Sequence, residues 1–212
     1  ALFMINLKYE VQKRGFTVAH VKTDSIKIPN ATPEIIQFVS DYGKQYGYNF
    51  EHEATYDRMC LVNDAVYIAK YDNGEWTATG TQFQVPYVFK TLFSHEPIEF
   101  KDLCETKTGT SALYLDMNED LEEGMHDYHF VGRAGLFCPM LPGSGGGVLL
   151  RQTKDGGFAA ATGTKGYRWM ESEMVQALGK ESEIDESYYK HLVDEAIREI
   201  SLYGDFEWFV DD

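Results

Sequence analysis

The residues best placed for chemistry lie in Thr17-Val-Ala-His-Val-Lys-Thr-Asp-Ser-Ile-Lys-Ile28. Two β-prone runs, Thr17 to Val21 and Ile26 to Ile28, flank the small polar Thr23-Asp24-Ser25, which suits a tight reversal with Asp24 near its tip. A carboxylate held at the end of a hairpin is a hard oxygen donor in a fixed place, and so a candidate ligand for a divalent cation. It is only one donor, whereas two-metal phosphoryl transfer needs at least two carboxylates converging on ions about 3.5–4 Å apart. A second group is Ala161-Thr-Gly-Thr-Lys-Gly-Tyr-Arg-Trp169, where glycines let the backbone approach a phosphate and Thr162, Thr164, Lys165 and Arg168 are candidate donors to it. The plainer reading is a turn in an antiparallel sheet, and the same choice holds for Pro142-Gly-Ser-Gly-Gly-Gly147; neither stretch is a P-loop. A third group is His126-x-x-His129 with Cys138, a possible zinc set, although a strand across Asp127 to Val131 would turn the two imidazoles to opposite faces. His52-Glu53 lacks the second His of a metalloprotease helix, and no Gly-x-Ser-x-Gly elbow is present.

The elements that must position these groups are well punctuated. Leu2, Ile5 and Tyr9, with Phe3, Leu7 and Val11 beside them, predict a first helix that stops at Gly15. Thr32 as N-cap, Pro33 at the first helical position, Glu34 in the first turn and Ile35, Ile36, Val39, Tyr42 and Tyr46 along one face predict a second helix ending at Gly47. Tyr48, Phe50 and His52 alternate with polar residues as in a strand running toward Asn63, and Asp72-Asn73-Gly74 joins Ala65–Tyr71 to Glu75–Thr79 as a hairpin. Val85, Val88, Phe89, Leu92 and Phe93 predict a helix after Pro86. The acids Asp116, Glu119, Asp120, Glu122 and Glu123 lack the ligand spacing of a calcium loop and read as a solvated turn. From Asp185, Tyr188, Leu192, Ala196, Ile200 and Tyr203 predict one long amphipathic helix, after which the aromatic tail Phe206 to Val210 is expected to dock.

Composition sets the outer bounds. In 212 residues, 43% hydrophobic and 14% aromatic, there is material for one sizeable domain or two small ones. The net charge of −15 argues against nucleic-acid binding by the whole surface. It is unevenly spread: residues 129–170 carry five cations against Asp155 alone, while residues 171–212 carry thirteen acids against three cations. Cys60, Cys104 and Cys138 are far apart and odd in number, which fits a reducing compartment better than a disulfide framework. No apolar run approaches a membrane span of roughly 20 residues. The chain opens at Ala1 inside an apolar periodic pattern and without Met, and reads as a piece of a longer protein.

The hairpin stretch resembles motif C of family B DNA polymerases, Tyr-x-Asp-Thr-Asp-Ser, in the Lys-Thr-Asp-Ser-Ile-Lys-Ile form of phage enzymes. Thr23, Asp24 and Ser25 match its last three positions, while His20 stands at the Tyr and Lys22 at the first Asp. Tyr67 falls at the Tyr of the family's Lys-x-Tyr signature, with Ala65 in the Lys position and Lys70 beyond it. Phe130 to Met140 and Tyr203 to Phe209 look like the C-terminal region of the same phage enzymes. Motif A, motif B and the exonuclease motifs have no counterpart. The resemblance implies an α+β fold: an antiparallel palm-type sheet with helices over residues 1–95, then a mixed α+β thumb-like region over 96–212. It further implies a DNA-directed DNA polymerase acting on primer-template with Mg2+ and deoxynucleoside triphosphates in a bacterial host cytoplasm. Asp24 would be the catalytic carboxylate and metal ligand; Thr23, Ser25, Tyr67, Lys70, Thr164, Lys165 and Arg168 would meet primer or DNA. Without the missing N-terminal part of the polymerase, which carries the other metal-binding Asp, this chain alone is expected to be inactive. The alternative is a non-catalytic α+β module that binds nucleic acid or, through its acidic face, a protein.

Overall fold

The computed structural model describes residues 2–211, and the chain is mixed α+β with antiparallel sheets, as expected. Two compact units meet in sequence between Gly80 and Thr81, rather than at 95/96, so the helical stretch after Pro86 belongs with the second unit. Among the described residues no helix is long and apolar enough to cross a membrane.

In the first unit, α1 (Leu2–Lys13) and α2 (Pro33–Gln45) frame the hairpin of β1 (His20–Val21) and β2 (Ile26–Lys27). α2 starts as its sequence dictates, with the Ile35 N–H donating to Thr32 Oγ1 at 3.3 Å and Pro33 at the first helical position. It ends at Gly47 (φ 84°), where the Tyr48 N–H reaches back to the Gly43 carbonyl at 2.8 Å. α1 exists where expected but presents a different stripe: Met4, Leu7 and Val11 are buried, while Leu2, Ile5 and Tyr9 face out. Both helices share one core, Met4, Leu7, Val11, Ile35 and Val39, against which Val21, Ile26 and Ile28 of the hairpin pack.

The strand expected from Tyr48 begins only at β3 (Tyr56–Asn63); residues 48–55 form no regular element. Their alternation serves packing instead. The Tyr48 ring stacks on Phe3 at 4.2 Å, and the Phe50 ring occupies the space beside Gly43, where a Cβ would lie 2.5 Å from it. β3, β4 (Val66–Tyr71) and β5 (Trp76–Thr79) then form a three-stranded antiparallel sheet in that order, with the predicted turn at Asp72-Asn73-Gly74. The β1–β2 hairpin is a ladder of its own.

The second unit opens with α3 (Thr81–Gln84) and α4 (Pro86–Phe89), the latter continued by a π turn over Lys90–Ser94 that ends at His95 in the left-handed conformation. A 3-10 turn (Phe100–Leu103) leads into β6 (Glu105–Asp116) and β7 (Tyr128–Met140), followed by β8 (Val148–Gln152), β9 (Phe158–Ala160) and β10 (Arg168–Glu171). The order is β10-β7-β6-β8-β9, antiparallel throughout. The sheet curls until Gly147 and Trp169 exchange two backbone hydrogen bonds of 2.7 Å, joining the entry of β8 to β10. Closure surrounds Leu113, Leu115, Phe137, Leu149, Ala161 and the fully buried Trp169. The seam is tight at Gly147: a Cβ there would lie 2.6 Å from Met117 Sδ, which would have to swing aside, and 3.1 Å from the Asp116 carbonyl.

After α5 (Ser172–Ala177), α6 (Ser187–Ser201) packs on α3 and α4 through Tyr189, Val193, Ala196 and Ile200. Its inward stripe is thus one position away from the expected Tyr188 and Leu192, and Tyr203 is exposed. In α7 (Phe206–Val210) Phe209 is buried and Phe206 half-buried while Trp208 is 63% exposed, so the tail does not bury all three rings.

Candidate functional site

Hairpin geometry decides where Asp24 points. His20 faces Lys27 and Val21 faces Ile26; beyond them the Lys22 N–H donates to the Ser25 carbonyl at 2.9 Å, leaving Thr23 and Asp24 as a two-residue tip. The apolar residues of both arms are held by the α1–α2 core, so the tip is anchored from below while Thr23 and Asp24 stay exposed and Ser25 is half-buried. No hydrogen bond or ion pair engages the Asp24 carboxylate among the described residues.

Two further contacts brace the hairpin, and neither was legible in sequence spacing. His20 Nε2 lies 2.5 Å from Asp64 Oδ1, where Asp64 sits in the β3–β4 turn. Lys27 Nζ stands 5.7 Å from the centre of the Tyr67 ring on β4. Tyr67 is therefore brought beside the hairpin, whereas Lys70, further along β4, lies over Trp76 at 5.8 Å.

A metal ligand set can be tested against these residues. An exposed, uncommitted carboxylate is a fitting hard donor for Mg2+, but that ion prefers a nearly octahedral oxygen set. Among the described residues no group of three or more His, Cys, Asp or Glu side chains converges on one point. Asp24 can thus be one ligand of a site completed by other groups, not a site by itself.

The basic loop of the second unit is mostly spent on its own architecture. Thr164 is 2% exposed, and its hydroxyl donates to the Ala161 carbonyl at 2.6 Å, while its own carbonyl accepts from Trp169 Nε1 at 3.1 Å. This corrects the expectation that Thr164 donates to a phosphate: it fastens the loop over Trp169. Arg168 is half committed too, with Nε donating to the Gly146 carbonyl and Nη2 to Asn118 Oδ1, both at 3.0 Å, and with Glu119 at 3.8 Å. Lys165 remains exposed beside a cleft of about 240 Å³ lined by Val148, Ala160 and residues 164–168. The Gly143–Gly147 loop is likewise a clamp, since the Gly143 N–H donates to Glu119 Oε1 at 2.5 Å and Lys180 Nζ donates to the Ser144 carbonyl at 2.7 Å.

Beneath the loop lies a residue that the sequence did not single out. Lys107 Nζ is 5.2 Å from the centre of the Trp169 ring and 3.5 Å from Tyr188 Oη. Burial pushes the Lys107 ammonium below its ordinary value, with Glu105 opposing, and burial together with Glu105 and Tyr167 pushes the Tyr188 phenol up to about 12. The usable signal in the sequence was Thr106, Thr108 and Thr110 alternating with Glu105, Lys107 and Gly109, a strand period that sets the last three on one face.

The zinc set does not assemble. His126 Nδ1 is 2.7 Å from Asp116 Oδ2 and His129 Nε2 is 3.0 Å from Asp127 Oδ2, while Cys138 is buried beside Cys104. His129 and Cys138 sit on the same strand, β7, and at about 3.3 Å per residue they lie roughly 30 Å apart along it. Asp116 also departs from the solvated-turn expectation: it is 2% exposed and accepts from Asn118 and from the Asp127 N–H, clasping the loop between β6 and β7.

Comparison with family models, with curated proteins and with solved structures found no match.

Proposed function

We propose that this chain is the C-terminal part of a phage-type family B DNA polymerase, which extends a primer 3′ end on a DNA template in the host cytoplasm. The observation that supports this reading most is Asp24 itself: an exposed carboxylate at the tip of a hairpin whose arms are locked into a helical core. Nucleotidyl transfer asks for that arrangement, because a metal-ligating acid must be fixed in position yet open to the primer and the incoming nucleotide. When bound, Mg2+ supplies charge neutralisation at the attacking and leaving oxygens. This chain's residues contribute the rest of the hairpin's role. Asp24 offers one oxygen donor, His20 and Asp64 hold the hairpin against β3–β4, and Tyr67 stands behind β2 as a support for the primer end. Lys165 is an exposed cation of the second unit that can meet a DNA phosphate. In such an enzyme another metal-binding carboxylate comes from motif A, which has no counterpart in these residues, so this chain alone is expected not to polymerise. Replacing Asp24 with Asn in the whole enzyme tests the reading: extension should be lost while the fold is kept, and near-normal extension refutes it.

A second reading, a non-catalytic interaction module, is favoured by the internal commitments of Thr164 and Arg168, which leave fewer donors for DNA. Anisotropy titration with a primer-template at low salt separates the two. Measurable affinity that weakens in Lys165→Ala supports the polymerase reading, and no affinity in either protein supports the module.

A further inference from the structure

Cys104 and Cys138 are far apart in sequence, and their separation gave no reason to pair them. In the fold their Sγ atoms are 3.5 Å apart. The cause is register: Glu105 faces Phe137 across the β6–β7 ladder, and one step further the same ladder sets Cys104 opposite Cys138. Directly opposed residues of an antiparallel pair have Cα atoms about 4.5–5.5 Å apart, inside the range of about 4.4–6.8 Å that a disulfide spans. Closing the gap to an S–S bond of about 2.05 Å then needs side-chain rotation rather than movement of a strand.

The two thiols have unequal surroundings. Cys138 is fully buried among Met140, Met170, Val175 and Ile184, and it is held from the other side by Met170 of β10. Cys104 is half-buried, at the end of the 3-10 turn, and its thiol points back to the Phe100 carbonyl at 3.3 Å. A half-buried thiol with a fully buried one in contact behind it is the arrangement of an attacking and a resolving cysteine.

We propose that Cys104 and Cys138 form a dithiol modification site whose reactant is a low-molecular-weight disulfide. The Cys104 thiolate attacks one sulfur of the reagent, the reagent's S–S bond breaks, and one thiolate leaves with a mixed disulfide formed at Cys104. Cys138 then attacks Cys104 Sγ, its proton passing to the departing second thiolate, which leaves as a thiol. Two protein thiols are oxidised, and one small disulfide is reduced to two thiols. The new bond ties the 3-10 turn that carries Asp102 to β7. Burial raises both thiols above their ordinary range, with the neighbouring thiol and acids as further influences, so the reaction is slow at neutral pH and quickens as pH rises.

The test uses the whole chain and oxidised glutathione. After incubation, acid quench and alkylation in denaturant, peptide mapping is expected to show the Cys104 and Cys138 peptides linked, with Cys60 alkylated as before. The melting temperature should rise and return to its starting value with dithiothreitol. In Cys138→Ala the glutathione adduct should persist on Cys104. Wild-type protein in which Cys104 and Cys138 are still alkylated after exposure to the oxidant, or in which Cys104 carries a lasting glutathione adduct, overturns the proposal, and neither outcome depends on a variant folding.

Discussion

Carboxylates in this chain meet opposite fates, and the contrast between Asp24 and Asp102 shows what decides them. Asp24 sits exposed on its tip. Asp102 is 3% exposed and accepts from Lys90 Nζ at 2.7 Å and from the Glu99 N–H at 2.8 Å. Burial alone would push the Asp102 carboxyl upward, but the Lys90 ammonium and the Glu99 N–H outweigh it and hold Asp102 below its ordinary value of 3.8. A carboxyl depressed in the folded state stabilises the fold fully above its unfolded value. That contribution is lost as pH falls through the lower folded value. Melting temperature should therefore drop on acidification below about pH 4 in the parent protein. In Asp102→Asn it should be lower near neutrality and less sensitive to acid, as a calorimetric pH series would record. The pairing was invisible in sequence because Lys90 and Asp102 are brought together by a π turn and a 3-10 turn, neither of which has a usable sequence period. Asp24 could be read because it depends on only a few neighbouring residues.

At the level of elements, local signals were sound and the facing of α2 was read correctly, while that of α1 and α6 was read only in part. The N-cap, the N-terminal proline and the terminal glycine of α2 each do their own chemistry within a few residues, and they placed that helix correctly. Thr32→Ala removes the bond to the Ile35 N–H, and chemical denaturation should report a loss of about 1 kcal/mol. By contrast, α1 and α6 had apolar residues on more than one stripe, so only tertiary packing chose between Leu2-Ile5-Tyr9 and Met4-Leu7-Val11. The 48–55 stretch alternates as a strand would, yet Phe50 is claimed by the gap at Gly43 and Tyr48 by Phe3. The glycine-rich loops could be read as turns or as phosphate cradles, and in the fold Thr164, Arg168 and the Gly143 N–H are spent on internal bonds while Lys165 stays exposed. Gly147→Ala should cost about 1–3 kcal/mol by the same denaturation measurement, because Met117 must be displaced and the Asp116 carbonyl must give way to admit a methyl group.

On the scale of the whole molecule, the −15 charge and the narrow basic stretch pull in different directions. Lys165 is the exposed cation of the 161–169 loop, so its removal should reduce the slope of log affinity against log salt for primer-template by about one, without altering stability. The order of helix and strand signals made an α+β chain legible, and the charge count its local basic stretch. Which cations stay available was not legible, because the bonds that tie Arg168 to Gly146 and Asn118 form only once the sheet curls.

The most direct measurement is single-turnover primer extension by the whole enzyme carrying Asp24→Asn, with melting temperature and primer-template affinity recorded on the same preparation. The account predicts a rate at least about a hundredfold lower, as expected when a transition-state charge loses its stabilising group, with stability and DNA affinity nearly unchanged. Extension at the parent rate would contradict it.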